Sequence, residues 1–99
     1  DFAVIGASSL DTDGAILDFD AQEVSVARAI LRNARTRILV ADASKFDVSA
    51  PVRICDVSQI DYVITDAAPP QDFINAANAG QTKILLPETE GEDLVEVAN

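Results

Sequence analysis

A short apolar run that stops abruptly on charge constrains this chain more than any other feature. Ile38-Leu39-Val40-Ala41 is continuous and aliphatic, and too short for a helix. Such a run suits a strand buried on both faces, as in a parallel sheet. It ends on Asp42, with Ser44 and Lys45 directly after. A carboxylate, a hydroxyl and an ammonium are thereby delivered at the carboxyl end of a buried strand, where open α/β sheets bind ligands. The same residues also suit a plain capped turn with a solvated lysine.

The pattern recurs along the chain. Phe2-Ala3-Val4-Ile5 breaks at Gly6-Ala7-Ser8-Ser9, four small residues. Their backbone N–H groups are open to an anion, although such residues also make ordinary turns. Tyr62-Val63-Ile64-Thr65 ends on Asp66, and Thr82 to Leu86 forms a last strand closed by Pro87. Ala15-Ile16-Leu17 is a short extended piece, and Val52 to Cys55 alternates as a short edge strand does. Asp11-Thr12-Asp13-Gly14 is a turn in which Gly14 is free to take positive φ. It lacks the acidic spacing of a calcium loop.

Two helices fall between the strands. Asp20 is a good N-cap with Glu23 three residues on, the spacing of a capping box. Val24, Ala27, Leu31 and Ala34 form one apolar stripe, which Ile30 widens. Glu23 and Arg28 lie toward the start of this helix and are candidates for a site. Arg32 and Arg35 lie at its end, where the helix dipole favours cations, and read as a solvated face. The second helix runs from about Gln71 to Ala79, with Phe73, Ile74 and Ala77 inward and Gly80 as its stop. The order is strand, helix, strand, strand, helix, strand. It predicts an α/β fold, a Rossmann-like and mostly parallel sheet with flanking helices. Gly6–Ser9, Asp42–Lys45 and Thr65-Asp66 would then share one edge of the sheet.

Charge narrows the function. Seven basic residues against seventeen acidic ones leave a net charge of −10. That surface repels nucleic acid and anionic membrane, so an anion site has to gather the few cations present. No apolar run approaches the ~20 residues of a membrane-spanning helix. With no His and a lone Cys55, structural zinc, a Ser-His-Asp triad and an internal disulfide are all excluded. The unpaired cysteine fits a reducing cytoplasm. Ninety-nine residues that open directly into a strand, without Met, read as part of a longer protein. Residues 1–87 form the domain and 88–99 an acidic tail. That tail reads as poorly anchored, or as a short helix docked by Leu94 and Val97.

Several stretches together carry a family resemblance. They are Ile5-Gly6-Ala7-Ser8-Ser9-Leu10, Glu23 with Arg28-Ala29, Ala41-Asp42-Ala43-Ser44-Lys45-Phe46, and Ile60-Asp61 with Ile64-Thr65-Asp66. In this order and at these intervals they resemble the C-terminal effector-binding domain of DeoR-type bacterial transcriptional repressors. Asp13 to Asp20 and Thr65 to Pro70 look most like the branch concerned with glycerol 3-phosphate. The resemblance runs from Asp1 to about Leu86. It implies a sensor for a phosphorylated sugar or polyol, glycerol 3-phosphate first among them. This chain would be the second half of that sensor domain. DNA would be met only by a winged helix-turn-helix outside this chain, and a homo-oligomer is expected.

The resemblance also assigns roles. Gly6, Ala7, Ser8 and Ser9 would offer backbone N–H groups to the ligand. Lys45 would give charge to the phosphate, with Arg28 assisting. Asp42 would orient Lys45 or accept a ligand hydroxyl, and Glu23 would be a helix cap or a hydroxyl acceptor. The family's sensor domain is similar in fold to ribose-5-phosphate isomerase, so an enzyme of that type is the rival reading. The enzyme's catalytic carboxylate would fall near Ala27, and Ile5 and Ser8 stand where its loop is acidic. Alanine cannot move a proton between carbons, so sensing is favoured over catalysis.

Overall fold

The computed structural model describes residues 1–87 and 94–96. Its central sheet is built from β1 (Phe2–Ile5), β4 (Thr36–Val40), β6 (Tyr62–Ile64), β7 (Lys83–Pro87) and β8 (Leu94–Glu96), adjacent in that order. The first four run parallel, and β8 pairs antiparallel with β7. A smaller antiparallel sheet holds β2 (Ser9–Leu10), β3 (Ala15–Asp18) and β5 (Val52–Asp56). Helix α1 spans Ala21–Arg32 and α2 spans Gln71–Ala79. The α/β class and the mostly parallel sheet are as the sequence predicts.

The second sheet is where the fold departs from expectation. The run Val52 to Cys55 is an edge strand, as the sequence predicts, but of the smaller sheet. It pairs with β3, which the turn at Asp11–Gly14 folds back on β2. Gly14 takes φ +102° there, as its turn requires, and its carbonyl accepts the Val57 N–H at 2.7 Å. The tail also differs. Leu94–Glu96 is a strand paired on β7, not part of a docked helix. The rest of the segment 88–99 lies outside the described residues.

The core explains which residues are inward. Ala3, Ile5, Leu39, Val63 and Ile84 point from the sheet into one cluster with Leu10, Ile16, Val24, Leu31, Ile54, Phe73 and Ala77. Successive strand residues face opposite sides, so the alternate set forms the other face. There Phe2 is 72%, Val4 60% and Val40 46% exposed. Both helices and the small sheet therefore cover one side only. Ile38–Ala41 is therefore not buried on both faces as expected: Leu39 and Ala41 are buried on the covered side, while Val40 on the other is exposed.

Local signals were partly redirected. Asp20 caps α1 by accepting the Gln22 N–H at 2.8 Å, but Glu23 does not close the box. A complete capping box forms instead at Asp56 and Gln59, at the short turn Val57–Gln59. There Asp56 accepts the Ser58 N–H while the Gln59 side chain accepts the Asp56 N–H, both at 3.0 Å. Ile30 does not widen the buried stripe of α1, since only Val24 and Leu31 are buried on it and Ile30 is exposed. Cys55 is buried, and burial first, then the Asp56 charge, pushes its thiol up to about 11. It stays a protonated thiol at neutral pH.

Gly80 stops α2, yet not through a left-handed backbone. Its φ is −92°, and Gln81 takes the positive φ of 65°. The glycine is required for space. A Cβ there would lie 2.5 Å from the Ser58 Cβ and 2.6 Å from the Ser58 Cα, which is backbone and cannot swing away. Gly80→Ala is therefore expected to destabilise the fold by about 1–3 kcal/mol, an overpacking cost. Urea unfolding checks it, and an unchanged midpoint would show that the two segments part freely.

Candidate functional site

The carboxyl ends of three parallel strands open onto a common hollow. Ala41 and Thr65 extend the ladder past the strand ends through Ala41 N–H to Ile64 O and Thr65 N–H to Leu85 O, both 3.1 Å. Beyond them the chain leaves the sheet at Gly6-Ala7, Asp42 and Asp66. Those residues, with Val40, Ile64, Lys45 and Pro87, line a pocket of about 470 Å³. A volume of that order suits a small ligand.

Lys45 is positioned by the turn that carries it. After β4 the chain enters a 3₁₀ turn, Ala43–Asp47, capped by Asp42. The Asp42 carboxylate accepts the Ser44 N–H at 3.0 Å and also the Ser44 hydroxyl. The Lys45 N–H closes the turn onto Asp42 O at 3.1 Å. Asp66 reaches over from β6 and accepts the Ala43 N–H at 2.7 Å. On the far side Phe46 packs edge-on against Phe73 of α2, with ring centroids 4.9 Å apart at 75°. Lys45 thus sits between a turn start fixed by two carboxylates and an aromatic anchor. Lys45 is half-buried and lines the pocket.

The Ser44 hydroxyl, then its N–H and the Lys45 charge, hold the Asp42 carboxyl below the ordinary carboxylate range, against some desolvation. Because the folded value is the lower one, the cap is in full force above the ordinary range. It is lost only as pH falls through the folded value. Ser44→Ala removes the largest cause, so the Asp42 titration midpoint should rise. Carboxyl chemical shifts followed against pH measure this directly. An unchanged midpoint would mean that the hydroxyl contact does not form.

The sequence candidates do not all meet. Gly6, Ala7, Asp42 and Lys45 share the pocket. Among the described residues no backbone acceptor takes the N–H of Gly6 or Ala7. Ser8 and Ser9 turn away. The Ser8 N–H is bonded to Leu17 O at 3.1 Å and its hydroxyl to Asp18 at 3.0 Å, while the buried Ser9 hydroxyl donates to Val48 O. Glu23 lines a separate hollow with Asp20, Gln22 and Val26. Arg28 is held on β5, its Nε donating to Ile54 O at 3.0 Å and its Nη2 to Arg53 O. The reason is topological: α1 follows β3 of the small sheet, so its start is not set directly by a strand of the main sheet.

Asp66 also lines the pocket; the sequence places it on the shared strand edge but assigns it no contact with a ligand. Its position at a strand end beside a buried Thr65 was the available signal. Thr65 itself donates from Oγ1 to Ala67 O at 2.7 Å, which shapes the chain after β6.

The family model for the DeoR C terminal sensor domain matches residues 1–67. The chain is 41% identical over 86 residues to a glycerol-3-phosphate regulon repressor of Haemophilus influenzae, covering 87% of this chain and 33% of that protein. It is 47% identical over 70 residues to the protein of the same name in Escherichia coli strain K12, covering 71% of this chain and 28% of that one. It is 34% identical over 88 residues to the HTH-type transcriptional repressor CsqR of the same strain, covering 89% and 34%. The chain thus spans about a third of the length of these relatives. No described helix is long and apolar enough to cross a membrane. With the family model matching well over half of its residues, the chain belongs to the family of DeoR C-terminal sensor domains.

Proposed function

We propose that this chain is the effector-binding part of a DeoR-type transcriptional repressor, and that its ligand is a phosphorylated polyol or sugar, glycerol 3-phosphate first. The observation that carries this is Lys45, on a turn held by the Asp42 cap and the Phe46 contact, lining one pocket with Gly6 and Ala7. A phosphate bonded by the Lys45 ammonium and by free backbone N–H groups gains charge-assisted hydrogen bonds. Asp66, whose Oδ1 already takes the Ala43 N–H, brings carboxylate oxygen to the pocket as an acceptor for a polyol hydroxyl. Glycerol-3-phosphate regulon repressors among the relatives support the choice of ligand.

In this reading residues 1–87 are the C-terminal part of a larger sensor domain, and 88–99 form its acidic end. The uncovered apolar face with Phe2, Val4 and Val40 supports it, because a monomeric domain rarely leaves such a face in water. The rest of the sensor domain would cover it. DNA is bound by another domain of a cytoplasmic homo-oligomer, and effector binding weakens that contact. The part is a sensor and not an isomerase, since Ala27 has no proton to carry.

Thermal melting of the full-length protein tests the ligand class. Glycerol 3-phosphate at about a hundred times its dissociation constant should stabilise by about 2.7 kcal/mol. Glycerol, without the phosphate, should leave the melting temperature where it was. Equal stabilisation by both would remove phosphate recognition from the site.

A further inference from the structure

A second hollow, of about 370 Å³, gathers Arg28, Arg32, Arg37 and Arg53. These are four of the seven basic side chains of a chain with net charge −10. They come from three elements: Arg28 and Arg32 lie one turn apart on α1, Arg53 is on β5, and Arg37 is at the start of β4. The hollow lies toward the amino end of β4, whereas the Lys45 pocket lies beyond its carboxyl end.

Two of the four guanidiniums are braced. Arg28 is held on the β5 carbonyls, and Arg37 donates from Nε to Leu31 O at 2.9 Å and from Nη1 to Gln59 O at 3.3 Å. Each keeps further N–H groups beyond those spent. Arg32 and Arg53 make no side-chain hydrogen bond among the described residues. No carboxylate within ion-pairing distance neutralises any of the four there; the ion pair found among the described residues joins Arg35 to Asp1. Neighbouring acids are engaged elsewhere. Asp56 caps Ser58 at 3.0 and 2.8 Å, and Asp61 accepts the Arg37 backbone N–H at 2.8 Å.

Four arginines lining one hollow, with no carboxylate within ion-pairing distance of them among the described residues, favour an anion between them. Arginine forks match phosphate oxygens, and the volume suits a small molecule. The acidic remainder of the surface disfavours a long polyanion such as nucleic acid. We propose that this hollow is a second ligand site, for a small molecule carrying at least two phosphate charges, distinct from the Lys45 pocket. The inference stands whether or not the Lys45 pocket binds a polyol phosphate.

The test is titration of the full-length protein with inorganic pyrophosphate and with fructose 1,6-bisphosphate, followed through the arginine Nε–H resonances. The two probes separate a free phosphate anion from a phosphate ester. Saturable shifts at Arg28 and Arg37 with either probe are expected. Arg32→Gln with Arg53→Gln, which touch no bond of the fold, should weaken that binding by about tenfold or more. Lys45→Ala should leave it unchanged. Absence of saturable binding by both probes, equal affinity in the double variant, or loss of binding in Lys45→Ala would each overturn the proposal.

Discussion

Replacing Lys45 by alanine is expected to weaken binding of glycerol 3-phosphate by about ten- to a hundredfold. That range follows from the roughly 1.5–3 kcal/mol of a hydrogen bond to a charged group in a partly buried site. The fold should be nearly untouched, because the turn is held by the Asp42 cap, the Asp66 bond to Ala43 and the Phe46 contact, none of which is a hydrogen bond to the lysine side chain. Circular dichroism and the melting temperature of the free variant therefore match the parent, while calorimetric titration shows the loss. Lys45→Arg keeps the charge but changes its reach, and recovers part of the affinity. An unchanged dissociation constant for Lys45→Ala would remove Lys45 from the site.

Phe73→Ala is the most damaging single truncation in the core, at about 3–5 kcal/mol. The ring is wholly buried, the largest such side chain among the described residues, and it stands where α2 meets the Ala43–Asp47 turn. Its loss removes apolar burial and leaves a cavity, and the edge-on contact to Phe46 goes with it. Against a typical domain stability of about 5–15 kcal/mol, that is a large share. Chemical denaturation measures it. A loss below about 1 kcal/mol would mean that the core collapses to fill the space. The contact also links stability to the site, since Phe46 is the neighbour of Lys45 in the chain. Phe46→Ala should loosen the lysine and reduce effector affinity without touching the ligand.

The strand ends were legible because their signal is local. Ile38–Ala41 followed by Asp42 is enough to place a carboxylate at a strand terminus, and the same holds for Ile5-Gly6 and Thr65-Asp66. In a parallel sheet those ends converge by geometry alone, so Gly6, Ala7, Asp42 and Lys45 meet as expected. Long-range pairing was not legible. The short runs Ala15–Leu17 and Val52–Cys55 carry no mark of which partner they choose, and they chose each other. That pairing moved the start of α1 away from the main sheet and drew Arg28 onto the carbonyls of β5.

The arginine hollow is not legible in the sequence for a related reason. Arg28 and Arg32 share a helix face by spacing, but only the fold adds Arg37 and Arg53. Ser8 and Ser9 show the opposite limit. As small loop residues they look available, but the hairpin uses the Ser8 N–H and hydroxyl, and the Ser9 hydroxyl is spent on Val48 O. The capping box was similarly ambiguous. Asp20 with Glu23 and Asp56 with Gln59 have equal spacing, and only the second closes.

Calorimetric titration of the full-length protein with glycerol 3-phosphate, beside ribose 5-phosphate, tests the sensor reading most directly. Saturable binding of glycerol 3-phosphate is predicted, tighter than that of ribose 5-phosphate and weakened by Lys45→Ala. A folded full-length protein that takes up no glycerol 3-phosphate, or that binds it equally well without the Lys45 ammonium, would contradict the assignment of this pocket.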